Sequence, residues 1–181
     1  MKFTFEPLAI PDILLVEHER YGDQRGSFAE TFRASQFEAH GIGPLVQDNH
    51  SYSSRGVLRG LHFQNKPKLL GKLVRCLRGR IFDVSVDIRR GSSTYAKWVG
   101  IELTGDDNLM LWVPPGFAHG FCTLSDVADV LYRQTDYYSS EHERVILWRD
   151  PDIGIDWPLD DPILSQKDAT APLLKDADSN L

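Results

Sequence analysis

The sequence predicts an all-β domain, a sandwich or barrel, from three observations. Short β-type segments recur down most of the chain, each closed by a turn signal. The segment RIFDVSVD alternates Phe82, Val84 and Val86 against Ile81, Asp83, Ser85 and Asp87, the pattern of a half-buried strand. No internal repeat, low-complexity tract or linker interrupts the series, so residues 1–181 read as a single domain, long enough to bury a sizeable core.

The series begins with ILLVE at 13–17, which the turn-like YGDQRG separates from SFAETFR at 27–33. SQFEAHG reads as a short helix with Ser35 as its cap, Glu38 three residues on and Gly41 as its stop. LVQDNHSYS and GVLRGLHFQ resume the strand pattern, and a basic NKPK loop precedes LLGKLVRCL. After RIFDVSVD come the GSST turn, KWVGIEL, the TGDDN turn, LMLWV, the PPG turn, AHGFCTL and ADVLYRQTDYY. Beyond Tyr138 the pattern loosens into a polar segment with Trp148, Trp157 and several X-Pro steps, expected as loops and short helical turns packed on the sandwich. The last ten or so residues are expected to be weakly ordered.

Composition narrows the function. Net charge is −6 and no lysine or arginine run is long enough to track a nucleic-acid backbone, which argues against DNA or RNA as a partner. No apolar stretch is long enough to span a bilayer, and the N-terminal MKFTFEPLAIPDI lacks the continuous apolar segment of a secretory signal. Cys76 and Cys122 sit in apolar strand-like segments without a CxxC, as expected of buried free thiols in a reducing cytoplasm.

The chemistry centres on GVLRGLHFQ at 56–64, which sets Arg59 and His62 three residues apart in an apolar strand. Strand alternation sends them to opposite faces unless Gly60 bends the chain. A base that titrates near neutrality, beside a guanidinium suited to phosphate, suits an anionic substrate that must lose a proton. A buried structural histidine beside a surface arginine is the alternative. PPGFAH, at 114–119, resembles the second sequence motif of metal-binding cupins, which are double-stranded jelly rolls. The first motif needs two closely spaced histidines, and here His62 is followed by Phe63 and Gln64. The fold hint survives and the metal does not.

His62 serves as a base if a carboxylate orients its ring, and Asp168 in LSQKD is a candidate if the tail folds back over the barrel mouth. Tyr132, mid-strand in VLYRQTDYY, is a candidate acid or an ordinary sheet residue. Lys72 alternates with Val74 and is an odd charge on an apolar face, the pattern of an electrophilic residue. Arg25, Arg59, Lys72 and Lys167 form the phosphate-binding inventory, and QDNHS at 47–51 clusters hydrogen-bonding side chains. Tyr137 and Tyr138 are placed either to stack on a nucleobase or to cover a sheet edge.

Taken together, GDQRGSFAETF, VQDNHSYSSRGVLRGLHFQ, GKLVRCLRGRIFDVSVDIRRGSSTYAKWVG, LWVPPGFAHGFCTLSDVADVLYRQTDYY and LSQKD closely resemble the dTDP-4-dehydrorhamnose 3,5-epimerase family, from about residue 10 to about residue 168. The resemblance implies a metal-independent cupin jelly roll with short peripheral helices, a C-terminal tail over the barrel, no redox cofactor, and usually a homodimer. It implies His62 as proton acceptor with Asp168 as its partner, Tyr132 as proton donor on the opposite face of the sugar, and Lys72 near the C4 oxygen. It further implies that Arg25, Glu30, Gln47, Asp48, Asn49, Arg59, His119, Glu143 and Lys167 line a nucleotide-sugar site where Tyr138 stacks on the base. One departure stands out: relatives often carry glutamine two residues before the lysine, and this chain carries Leu70. An epimerase acting on C3 alone, or on another nucleotide-linked sugar, is the nearest alternative. A catalytically inactive binding cupin and a metal-dependent cupin oxygenase are more remote.

Overall fold

The structure is a computed structural model and describes residues 2–181. The chain opens with β1 (Phe3–Pro7), β2 (Leu14–His18), the hairpin β3 (Arg20–Asp23) and β4 (Gly26–Ala29), and the short helix α1 (Ala34–Glu38). It continues through β5 (Gln47–Ser54), β6 (Leu58–Gln64), β7 (Lys72–Arg78), β8 (Arg80–Asp87) and β9 (Trp98–Thr104). β10 (Leu109–Val113), β11 (Phe117–Thr123), β12 (Val127–Gln134), β13 (Glu143–Val145) and α2 (Gln166–Ala169) complete it, before a 3-10 turn at Leu174–Asp176.

Two antiparallel sheets make the jelly roll. One has the order β1-β2-β10-β7-β12-β5 and the other β13-β6-β11-β8-β9, while among the described residues β3 and β4 pair only with each other. Between the sheets, Val74, Cys76, Leu111, Val113 and Val130 meet Ile81, Leu103, Phe117 and Phe121. Alternation then turns Leu61, Phe63, Val84, Val86 and Ala118 to the outside of the five-stranded sheet, where Ile146, Ile153, Leu174 and Ala177 of the C-terminal tail cover them. Fully burying each such side chain is worth about 1.5–3 kcal/mol, enough to hold a tail that has little regular structure.

This packing corrects several expectations. The segment from 172 to 181 is docked: Leu174 and Ala177 are buried, and Asn65 donates to the Asp178 carbonyl. β8 is not half-buried, because both its faces are covered and Asp83, Ser85 and Asp87 are all fully buried. Ser35 does not cap α1; the N-cap is Arg33, in extended conformation and with no side-chain cap bond. What fixes α1 is tertiary, with Phe37 buried against the rings of Phe3, Phe5 and Phe32 at 5.0–5.3 Å between centroids. The strand expected over 27–33 ends at Ala29, and β1 and β13 join the sheets without a sequence signal that singled them out. Both cysteines are buried free thiols. Among the described residues no helix is long and apolar enough to cross a membrane.

Candidate active site

The site lies between the sheets, lined by β6 of the five-stranded sheet and by β7 and β12 of the six-stranded sheet. Its first device is a bulge. β11 advances two residues from His119 to Phe121 while its partner β6 advances three, from His62 back to Arg59. The extra residue breaks alternation, so Arg59 and His62 pair with residues on one face of β11 and share that face. Gly60 makes this possible: its φ is +138°, and a Cβ there would lie 2.5 Å from the Cα of Gly120.

His62 is held from behind by the tail. Its Nε2–H donates to Asp168 Oδ1 at 2.6 Å. Asp168 sits in α2, whose N-cap Ser165 donates its hydroxyl to Asp168 Oδ2 and accepts from the Asp168 backbone N–H. Burial raises the Asp168 pKa, but the hydrogen bond and charge of His62, with Ser165 and Lys167, outweigh it and hold the carboxyl below its ordinary value. An ionised carboxylate only accepts, so Nε2 carries the shared ring proton and Nδ1 is the nitrogen left free of Asp168.

The facing sheet supplies Tyr132 and Lys72. Tyr132 pairs with Asn49 on one side and Val74 on the other, which puts it on the inner face of the six-stranded sheet. Burial raises its pKa, so the phenol keeps its proton at neutral pH. Lys72 Nζ lies 6.0 Å from the Tyr132 ring centroid, and burial lowers its pKa to about 8, with Asp83 and Glu143 opposing the shift. It is a cation at neutral pH. His119, behind this pair, donates Nε2–H to both oxygens of Asp83 at 2.9 and 3.0 Å. Burial lowers the His119 pKa in spite of Asp83, leaving a neutral ring.

His62, Lys72 and Tyr132 line one open-mouthed cavity of about 120 Å³. Gln47, Asn49, Tyr138 and Glu143 line it too. At its rim Tyr138 donates its hydroxyl to Glu143 Oε2 at 2.8 Å, and Lys167 pairs with the same carboxylate. Burial raises the Glu143 pKa, but those two bonds outweigh it and keep the group ionised. Arg59 donates to Ser53 Oγ and the Tyr52 carbonyl, close enough to lower the Tyr132 pKa by its charge.

Seven of the expected residues are not on the cavity wall within one chain: Asp168 and His119 stand behind it, bonded to His62 and Asp83, Lys167 and Arg59 lie beside it, bonded to Glu143 and to Ser53, and Asp48, Arg25 and Glu30 lie away from it. Asp48 alternates to the outer face of β5, where it pairs with Arg133 at 3.3 Å. Arg25 lies at the exposed turn of the β3–β4 hairpin and binds Asp23, and Glu30 follows that hairpin and pairs with Arg33. Among the described residues no three His, Cys, Asp or Glu side chains come together as a group that could hold a metal ion.

Comparison with known proteins decides the family. The family model for dTDP-4-dehydrorhamnose 3,5-epimerase matches residues 7–176. The chain belongs to the dTDP-4-dehydrorhamnose 3,5-epimerase family. It is 53% identical over 173 residues to the dTDP-4-dehydrorhamnose 3,5-epimerase of Salmonella typhimurium, covering 93% of this chain and 94% of that one. A solved structure of dTDP-6-deoxy-D-glucose-3,5-epimerase from Legionella pneumophila, in complex with dTDP-4-keto-L-rhamnose, superposes with a TM-score of 0.93 at 47% identity, covering 96% of this chain and 94% of that one. The dTDP-4-dehydrorhamnose 3-epimerase of Streptomyces niveus is 39% identical over 174 residues, 94% of this chain and 84% of that one.

Within this epimerase-family chain, sequence reasoning missed Asp83 as the partner of His119 and Ser165 as the anchor of Asp168. The Ser165-to-Asp168 spacing was a readable signal, a capping residue followed three later by an acid. Asp83 had none, because its strand looked half-exposed.

Proposed function

We propose that the protein epimerises C3 and C5 of dTDP-4-dehydro-6-deoxy-D-glucose, giving dTDP-4-dehydro-L-rhamnose, without a redox cofactor. The observation that carries this reading is that an Asp168-oriented His62 and a protonated Tyr132 come from facing sheets onto one cavity, with the buried Lys72 cation between strands at its wall. A ketone at C4 acidifies the hydrogens on C3 and C5, because the electron pair left behind delocalises onto O4. His62 Nδ1 takes the proton from one face of the ring. Lys72 stabilises the enolate oxygen electrostatically, in a site where burial makes the charge effective. The enolate carbon then takes the Tyr132 phenolic proton from the other face, and the two side chains re-equilibrate with water. The net change is inverted configuration with no change in composition.

The nucleotide end falls at the rim, where Tyr138, Arg59 and Lys167 offer an aromatic face and two cations. Arg25 and Glu30 contribute in this reading from a second copy. In support, the β3–β4 hairpin pairs with no other strand among the described residues and exposes Tyr21 (55%) and Phe28 (69%), a surface suited to a homodimer. A cytoplasmic location fits the two free thiols.

The reading is tested by incubating the protein with dTDP-4-dehydro-6-deoxy-D-glucose and a 4-ketoreductase with NADPH. An L-configured deoxysugar product supports it. A product inverted at C3 alone favours the C3-only alternative, which Leu70 in the cavity wall and the Streptomyces niveus relative keep in view. Recovery of unchanged D-sugar overturns both.

A further inference from the structure

Gln134 is the last residue of β12, two positions after Tyr132 and therefore on the same inner face. It pairs across the sheet with Lys72 of β7 and with Gln47 of β5. Its side chain lines the cavity at only 4% exposure, yet its amide oxygen is buried without a hydrogen-bond partner among the described residues. Exchanging the amide oxygen and nitrogen would leave an unpaired donor in the same place. Buried polar atoms in native structures are nearly always paired, and one left open on the wall of a cavity points to a partner that arrives with a ligand.

The neighbourhood identifies that partner. The Gly71 and Thr135 backbones bond each other, which sets Leu70 one diagonal step across the strands from Gln134, on the same wall. Leu70 is apolar, and of the four amides that line the cavity, Gln47, Asn49 and Gln64 already have their oxygens bonded, to Tyr138 N–H, Gln47 Nε2–H and Ser139 N–H, which leaves that of Gln134, directly across the strands from Lys72. Resting on the epimerase reading, Lys72 faces the C4 oxygen. In a 4-keto-6-deoxyhexose the only hydroxyl next to C4 is on C3, since C5 carries a methyl group and the ring oxygen. We propose that Gln134 is a substrate-positioning residue whose amide oxygen accepts a hydrogen bond from the C3 hydroxyl of the sugar.

The test compares unmodified protein with Gln134→Met and the double variant Leu70→Gln/Gln134→Met. The readouts are kcat/KM for C3 proton exchange, affinity for dTDP alone, and melting temperature. Methionine keeps the volume and removes an unpaired buried amide, so the melting temperature should hold or rise. The expected result is a fall in kcat/KM of about tenfold or more with dTDP affinity unchanged, and at least partial recovery in the double variant. Unchanged kcat/KM in Gln134→Met would overturn the assignment. So would a lowered melting temperature that accounts for the lost activity; Gln134→Leu, if it too melts early, would mark the amide as structural. Absence of exchange in the unmodified protein would overturn the epimerase reading itself, and this proposal with it.

Discussion

His62 Nε2 and Asp168 Oδ1 lie 2.6 Å apart although 106 residues separate them in the chain. The contact exists because the tail from 146 onward covers the outer face of the five-stranded sheet and delivers α2 to the rear of His62. Tail docking and base orientation are thus one structural event.

Replacing Asp168 with Asn should therefore uncouple them. The amide keeps the shape but also donates, which permits the His62 tautomer with its proton on Nδ1, where the lone pair is needed. Turnover should fall by about 10²–10⁴-fold with little change in dTDP affinity. The same variant should alter acid unfolding. The Asp168 pKa is depressed in the folded state, so its stabilising contribution is present above the ordinary carboxylate value of 3.8 and is lost as pH falls through the folded value. Chemical denaturation followed from roughly pH 5 down towards pH 1 should show a flatter acid limb for Asp168→Asn.

Lys72 should show the opposite balance of stability and activity. Its folded pKa of about 8 lies below its ordinary 10.5, so the unfolded chain holds the proton more tightly and the penalty is fully present below pH 8. Stability should rise between pH 8 and 10.5, and Lys72→Met should stabilise the protein at neutral pH by on the order of 3 kcal/mol while lowering kcat by about 10²–10³-fold. Calorimetry beside steady-state kinetics checks both signs. In the unmodified enzyme, kcat/KM should decline above pH 8 as this cation is lost.

Gly60→Ala should act on both fold and site. An added Cβ meets Gly120 Cα at 2.5 Å in a backbone with φ +138°, so the bulge that aligns Arg59 with His62 must open. The expected cost is roughly 2–4 kcal/mol in urea denaturation, with activity lost in the fraction that remains folded.

Arg25→Ala should weaken substrate binding in a way that depends on assembly. The hairpin does not reach the cavity of its own chain. Raised KM together with a dimeric elution volume supports contribution from a second copy; unchanged KM contradicts it.

Much of this was legible in the sequence, and the exceptions have physical causes. Strands β5 to β12 followed from alternation and turns, whereas residue chemistry offered Asp168 only as a candidate partner of His62, conditional on the tail folding back, and the family resemblance paired them. The shared face of Arg59 and His62 was visible only as a question, because a bulge is a property of two strands and Gly60 reveals its purpose only beside Gly120. The role of Asp83 stayed hidden because polar residues on one face of β8 resemble a solvent face, whereas here that face looks into the barrel. Ser35 looked like a cap, but with Phe37 packed among aromatic rings α1 starts two residues earlier, after Arg33. The docking of Leu174 and Ala177 likewise depends on a sheet face assembled from distant strands.

The most direct test of base and acid on opposite faces is proton NMR in deuterated water, with dTDP-4-dehydro-6-deoxy-D-glucose and either the unmodified protein or Tyr132→Phe. The unmodified protein should lose both the C3 and C5 signals and yield the L-sugar. Tyr132→Phe should still exchange these positions, because His62 returns a deuteron to the face it deprotonates, but should invert neither centre. Full inversion by Tyr132→Phe, or no exchange by the unmodified protein, would contradict the account.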